Sequence, residues 1–304
     1  MTHDWSTADI PDQSGRVYLV TGANSGLGLE TARAVARRGA RVVMTVRNTA
    51  AGEAAAGAIR DDVPGADLEV RRLDLADLDS VRAFADGFDS PLDVLVNNAG
   101  IMAPPFSLSP QGHEIQFATN HLGHFALTGL LLDRLQGPDP RVVTVSSLAH
   151  GHGRIHFDDP VGERRRSPVA YYSQSKLANL LFGLELDRRL RAAGSPVKSL
   201  MAHPGFSSTG LLRSMNAQWR FIANLLVPFT TQPPAAGALP QLRAATAPDA
   251  EGGQYFGPDG RKERTGAPVL VRAVKEAYDT ATACRLWTVS EELTGVRFGL
   301  PAPA

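Results

Sequence analysis

Between Val17 and Ala202 short apolar runs alternate with longer helical stretches, and this alternation restricts the possible folds more than any other feature. Val17–Val20, Arg41–Val46, Leu68–Leu73, Leu92–Val96, Arg141–Ser146 and Val197–Ala202 read as strands. Leu27–Arg38, Ala50–Arg60, Ser80–Phe88, Gln111–Leu135 and Pro168–Ala192 read as the helices between them. A helix between two strands returns the chain to the same edge, so the strands pair in parallel with helices on both faces. The expected fold is α/β, a Rossmann-type doubly wound parallel sheet in a single domain spanning residues 1–304.

The alternation weakens after Gly205. Pro233, Pro234 and Pro240 punctuate a helical stretch around Ala235–Ala245, Gly252–Phe256 reads as a last short strand, and Val274–Leu293 reads as helix. No internal repeat, low-complexity tract or linker divides the chain.

In sheets of this kind ligands bind beyond the carboxyl ends of the strands. Gly22, Asn98, Ser147 and Pro204 each follow a strand. The loop Thr21-Gly22-Ala23-Asn24-Ser25-Gly26-Leu27-Gly28 joins the first strand to the first helix. Glycine permits a tight turn and a close backbone approach to a pyrophosphate, and the helix start offers free N–H groups. A glycine-rich turn without a ligand is the competing reading, and the strand before and helix after favour the dinucleotide loop. Tyr172 and Lys176 lie four apart in a helical stretch and so share a face. An ammonium near a phenol favours the phenolate and makes an acid–base group useful nearer neutral pH.

Composition removes several function classes. The chain has 31 basic and 31 acidic side chains, so no charge surplus points to nucleic acid or an anionic membrane. Cys284 is the only cysteine and cannot form an internal disulfide, which fits a reducing, cytoplasmic location. Met1–Ser14 is polar and acidic, unlike a signal peptide, and the interrupted apolar run Trp219–Phe229 falls far short of the roughly 20 residues of a membrane span.

The motifs in order resemble the short-chain dehydrogenase/reductase family over about residues 15–210. Thr21–Gly28 is similar to that family's cofactor loop, and Asn97-Asn98-Ala99-Gly100 to its second motif. Asn120, Ser147, Tyr172 and Lys176 match its catalytic tetrad, and His203-Pro204-Gly205 a further cofactor contact, with Ser207 and Thr209 just beyond it. Val145–His150 and Ser175–Asn179 resemble the retinol-dehydrogenase-like branch. Ser147 and Tyr172 are 25 positions apart, about twice the usual family gap, and that branch carries a similar insertion.

This resemblance implies that residues 15–205 form a cofactor and catalytic core and residues 206–304 a substrate lid and C-terminal extension. Expected cofactor contacts are Gly22, Asn24, Ser25, Gly26, Leu27, Gly28, Arg47, Asp74, Leu75, Asn98, Ala99, Gly100, Tyr172, Lys176, Pro204, Gly205, Ser207 and Thr209. An acid at the end of the second strand would bind the 2′-hydroxyl of NAD, whereas Arg47 suits the 2′-phosphate of NADP. NADP is the favoured cofactor, with NAD possible, since Asn24 and Ser25 stand where NADP users of the family often carry a second basic residue. Asp74 reads either as an adenine contact or as the cap of the next turn. Tyr172 is the expected proton donor or acceptor, Lys176 lowers its pKa and bonds the nicotinamide ribose, Ser147 polarises the substrate oxygen, and Asn120 fixes a water beside Lys176. Tyr171 and Ser146 are the neighbouring alternatives to Tyr172 and Ser147.

The implied function is interconversion of an alcohol with an aldehyde or ketone. Met215, Trp219, Phe221, Leu225 and Leu226 either wall a lipophilic (retinoid-, steroid- or fatty-aldehyde-like) pocket or form core, an interface or a membrane contact. Reduction of a carbon–carbon double bond and a non-catalytic NADP-binding regulator are the alternatives. A homodimer or homotetramer is implied. His150, His152 and His156 are expected to be exposed loop histidines rather than metal ligands, and Arg164–Arg166 a solvated run.

Overall fold

The structure, a computed structural model, describes residues 4–159, 162, 164, 167–207 and 232–303. The elements run β1 (Val17–Thr21), α1 (Gly26–Ala36), β2 (Arg41–Val46), α2 (Thr49–Asp62), β3 (Leu68–Arg72), α3 (Leu78–Asp86) and β4 (Val94–Asn97). Then follow α4 (Ile115–Phe117), α5 (Gly123–Leu131), β5 (Arg141–Val145), α6 (Pro168–Ala192) and β6 (Lys198–Ala202). The C-terminal part adds α7 (Pro234–Gly237), α8 (Leu239–Thr246), β7 (Tyr255–Pro258), β8 (Pro268–Leu270) and α9 (Thr280–Thr294).

One sheet carries all the strands in the order β3-β2-β1-β4-β5-β6-β7-β8. Every pair is parallel except β7–β8, which is antiparallel. The doubly wound expectation therefore holds. The central strands are apolar on both faces because both are covered, as parallel sheets require. One face packs Val35, Ile59 and Leu242 from α1, α2 and α8 against Val20, Val42, Met44 and Val96. The other packs Val81, Phe125, Leu127, Phe182 and Leu186 from α3, α5 and α6 against Leu19, Val43, Leu95 and Val142.

α6 has the bounds read from the sequence. Ser167 caps it by accepting from Ala170 N, and Pro168 stands at the first helical position, where its missing N–H costs nothing. The expected helix Gln111–Leu135 is corrected to a shorter and broken one. Glu114 caps the start, accepting from Gln116 N and Phe117 N, and a π-turn at Ala118–Leu122 separates α4 from α5. Residues before Glu114 are held in a bridge between Leu108 and Glu114 instead. The last helix starts later than expected, at Thr280, because the Asp279 carboxylate caps it. β8 has no counterpart in the sequence reading; three residues opening with proline give little strand signal and suit only an edge.

The C-terminal part covers the outer faces of α5 and α6. Trp287 of α9 and Phe298 pack with their ring centroids 4.5 Å apart and their planes tilted by 55°, and both rings reach Phe125 and Phe182. The Arg189 guanidinium lies 4.4 Å from the Trp287 ring centroid. Among the described residues no helix is long and apolar enough to cross a membrane.

Truncating a buried tryptophan leaves a cavity the cluster cannot fill. Trp287→Ala should lower unfolding stability by about 3–5 kcal/mol in a urea titration. An unchanged urea midpoint would show that the C-terminal segment adds no stability to α5 and α6.

Candidate active site

The strand order reverses between β1 and β4, where one connection turns toward β2 and the other toward β5. Loops leaving these strands diverge and leave a crevice between them. A cleft of about 400 Å³ opens there. Its walls include Gly22, Asn24, Ser25, Gly26 and Leu27 from the glycine loop, and Arg47, Asp74 and Leu75 from the ends of β2 and β3. Asn98, Ala99 and Gly100 line it after β4, as do Tyr172 and Lys176 from α6 and Pro204 after β6.

The glycine loop is built around positions that no side chain could occupy. Gly22 and Gly26 hold φ of +67° and +57°, which favours glycine. A Cβ on Gly28 would lie 2.5 Å from both the Gly22 carbonyl oxygen and Asn98 Nδ2. Ser25 precedes α1 in extended conformation without making a side-chain cap, so the first-turn N–H groups are left for an anion. These features fit a nucleotide pyrophosphate. Asn98 is fixed from both ends of its amide. Nδ2 donates to Thr21 O at 2.7 Å, and Oδ1 accepts from Gln241 Nε2 at 3.2 Å.

Asp74 caps the turn, its Oδ1 accepting from Ala76 N at 3.1 Å, and it lines the cleft. Arg47 is exposed at the mouth. Gly205 is left-handed at φ +62°, and a Cβ there would meet the Arg264 carbonyl oxygen at 2.3 Å. His203 secures this turn. Its Nδ1 accepts from Gly205 N at 3.2 Å and its Nε2 donates to Glu263 Oε2 at 2.9 Å. The Ser207 hydroxyl donates to Gln232 O at 3.3 Å. Thr209 and the apolar residues Met215, Trp219, Phe221, Leu225 and Leu226 lie outside the described residues, as do Arg165 and Arg166.

On α6 the two tyrosines separate cleanly. Tyr171 donates its hydroxyl hydrogen to Gly162 O at 3.0 Å, outside the cleft wall, whereas Tyr172 lines the cleft. The two serines separate as well. Ser146 lines the cleft and donates to Lys176 O at 2.8 Å, while the Ser147 hydroxyl accepts from Ala149 N at 3.2 Å. Lys176 Nζ donates to Val145 O at 3.2 Å and stands 5.8 Å from the Tyr172 ring centroid.

Burial dominates the electrostatics here. It pushes the Tyr172 phenol above its usual pKa, with the Ser147 hydrogen bond pulling the other way. Burial also brings Lys176 down to about 8. The lowering of the Tyr172 pKa by lysine that the sequence suggests does not prevail: the phenol is raised, first of all by desolvation.

Asn120 sits in the π-turn. Its Oδ1 accepts from Ile101 N at 2.9 Å, and its Nδ2 donates to Ile101 O and Ser175 Oγ, each at 3.0 Å. The amide therefore positions the segment after Gly100, which packs between Asn120 Oδ1 and Lys176 Nζ. His150 corrects the expectation of exposed loop histidines. It is buried, its Nδ1 donates to Ser147 O at 2.7 Å, and burial lowers its pKa. Among the described residues no group of three His, Cys, Asp or Glu side chains is placed to hold a metal ion.

Sequence reasoning missed Gln241, Glu263 and His124. The first two approach from the C-terminal part with no motif to mark them. His124 lies four residues after Asn120, a spacing that puts both on one helix face.

An added methyl at Gly28 would force the backbone of Gly22 to move. Gly28→Ala should weaken binding of a nicotinamide dinucleotide at least about tenfold by isothermal calorimetry, with unchanged circular dichroism. Undiminished binding would remove the Gly22–Gly28 approach from the cofactor site.

Comparison with known proteins agrees with this geometry. The family model of the short chain dehydrogenases matches residues 16–220. Human retinol dehydrogenase 12 is 43% identical over 293 residues, covering 93% of this chain and 88% of that protein. Human retinol dehydrogenase 11 is 42% identical over 298 residues, covering 96% and 88%. A crystal structure of an uncharacterised Mycobacterium paratuberculosis protein aligns with a TM-score of 0.83 at 48% identity, covering 98% of this chain and 100% of that one. The chain belongs to the short-chain dehydrogenase/reductase family, in its retinol-dehydrogenase-like branch of NAD(P)-dependent oxidoreductases acting on CH–OH groups.

Proposed function

We propose that this protein is an NADP-dependent oxidoreductase that interconverts a lipophilic alcohol with its aldehyde or ketone. The observation that carries the reading is Tyr172 and Lys176, both buried on one face of α6 and both lining the cleft at the strand-order reversal. A nicotinamide dinucleotide, held by the glycine loop, Asn98–Gly100 and Pro204–Gly205, supplies or accepts the hydride when bound.

The residues divide the remaining work. Tyr172 holds the proton that the carbonyl oxygen receives in reduction, and takes it back in oxidation. Ser147 donates to the same oxygen and stabilises the charge that develops on it. Lys176, at about 8, sits near the pH at which it can exchange a proton. Asn120 holds Ile101 and Ser175 so that Gly100 packs against the Lys176 ammonium. A phenol pushed up by burial keeps its proton at neutral pH, which suits carbonyl reduction. Alcohol oxidation, which needs the phenolate, then increases toward alkaline pH.

Arg47 supports NADP over NAD: it is a cation at the end of β2, on the cleft, where a 2′-phosphate would lie. Apolar surface supports the substrate class. Phe106 is exposed and packs against Tyr171, beside Tyr172, and Phe206 is exposed just after Gly205. The retinol dehydrogenases named above support it as well. The covered faces of α5 and α6 leave other surfaces for a homodimer or homotetramer.

Tyr172→Phe should cut carbonyl reduction at least about a hundredfold and leave cofactor affinity unchanged. Full turnover in that variant, followed by the absorbance of the reduced nicotinamide, would end the catalytic assignment. Arg47→Asp should shift preference from NADPH toward NADH by at least about tenfold in Kd. Unaltered NADPH affinity would remove Arg47 from the phosphate site.

A further inference from the structure

We propose that His124 is a positioning residue, a neutral hydrogen-bond bridge that couples the cofactor loop to the Asn120 turn. The proposal rests on the reading of the cleft as a dinucleotide site, and it assigns a role to a residue outside the tetrad.

His124 is buried in α5 and touches polar partners through both ring nitrogens. Nδ1 is 3.0 Å from the Asn120 carbonyl oxygen, which can only accept. Nδ1 therefore carries the proton. Nε2 is 2.9 Å from Thr21 Oγ1. That oxygen already accepts two backbone bonds, from Asn98 N and Ala99 N, each at 2.9 Å. Both of its lone pairs are used, so its hydrogen is what remains for Nε2; the alternative acceptor, Val96 O, is farther away at 3.3 Å. Every group is satisfied by one arrangement only, the neutral ring with a bare Nε2. A protonated ring would aim Nε2–H at an oxygen without a free lone pair and would release one of the two amides. Burial agrees, since it brings the imidazole down to about 4.

What the bridge connects gives it a function. Thr21 is the residue before Gly22. Asn98 and Ala99 line the cleft beside the glycine loop. Asn120 fixes Ile101 and Ser175, and Ser175 adjoins Lys176. One imidazole thus sets the spacing between the loop that would hold the pyrophosphate and the turn that flanks the catalytic lysine. Its two bonds are separable. The Nε2 side acts on the cofactor loop and so on affinity. The Nδ1 side acts on Asn120 and so on turnover.

The first test uses the wild-type protein. With ring-¹⁵N-labelled histidine, NMR at neutral pH should show His124 as the Nδ1–H tautomer; an Nε2–H tautomer overturns the bridge. The second test uses variants. His124→Asn keeps a donor near Asn120 O and loses the Thr21 bond. It should raise the Kd for NADPH about tenfold and leave kcat for carbonyl reduction within about twofold. His124→Leu loses both bonds and should lower kcat about tenfold as well. Because His124 acts through Thr21, the double variant His124→Asn with Thr21→Val should bind NADPH no more weakly than Thr21→Val alone. Additive losses, or unchanged NADPH affinity in His124→Asn, overturn the coupling while the cofactor reading stands. Wild-type protein that binds neither NADPH nor NADH overturns that reading and the bridge with it.

Discussion

The close approach of α1 to the junction between β1 and β4 is the constraint on which the site depends. Gly28 has no space for a Cβ between the Gly22 carbonyl and the Asn98 amide. Gly22 has hardly more, with the Ala99 backbone 3.0 Å from where its Cβ would be. This tightness brings the start of a helix and the ends of two strands to one point. The helix N–H groups, the Asn98–Gly100 backbone and the turn before α1 then face one cleft. A looser junction would spread these groups apart and leave nothing arranged for a pyrophosphate.

Around that point, burial decides the chemistry more than the nearest charge does. Lowering a lysine from its ordinary value to about 8 corresponds to a desolvation cost on the order of 3 kcal/mol. A hydrogen bond from a charged group offsets about 1.5–3 kcal/mol of such a cost. The bond from Lys176 to Val145 O offsets part of that cost without restoring the ordinary value. The phenol keeps its proton because its surroundings are dry, and Ser147 moderates the effect. For the Tyr172–Lys176 pair, whose i,i+4 spacing suggests a Coulombic effect, burial is the leading influence on both groups.

Behind the cleft, histidines recur as links between segments. His124 lies between Thr21 and Asn120, His150 donates to Ser147 O, and His203 links Gly205 N to Glu263. Each has one nitrogen that donates and one that accepts, so a single ring joins two segments. The loop that supplies Glu263 is itself unusual. Lys262 and Glu263 are both left-handed, at φ 55° and 54°. Non-glycine residues in that region cost on the order of 1–3 kcal/mol each, and are held only where their surroundings demand it. Here the Arg264 carbonyl that follows accepts from Phe206 N at 2.7 Å, beside the Pro204–Gly205 turn.

The alternation of strands and helices, the glycine spacing and the Tyr172–Lys176 pair were legible in the sequence because each is a local pattern. Periodicity reports which face of an element is buried, and a turn that requires left-handed backbone selects glycine wherever it occurs. The parallel sheet, the bounds of α6 and most of the cleft lining followed from these signals. The π-turn at Asn120 did not, since one extra residue in a turn leaves the apolar pattern almost unchanged. Nor did the choice between Ser146 and Ser147 follow from chemistry: both are serines, and only the path of β5 beneath α6 sends one hydroxyl to Lys176 O and the other toward Tyr172. Gln241, Glu263 and β8 were invisible for a further reason. Their partners lie far away in sequence, and such contacts exist only once the C-terminal part has packed. Sequence alone thus set which local structures form and which reactive groups the chain carries. Tertiary packing set the depth of their burial, and with it the protonation state in which each would act.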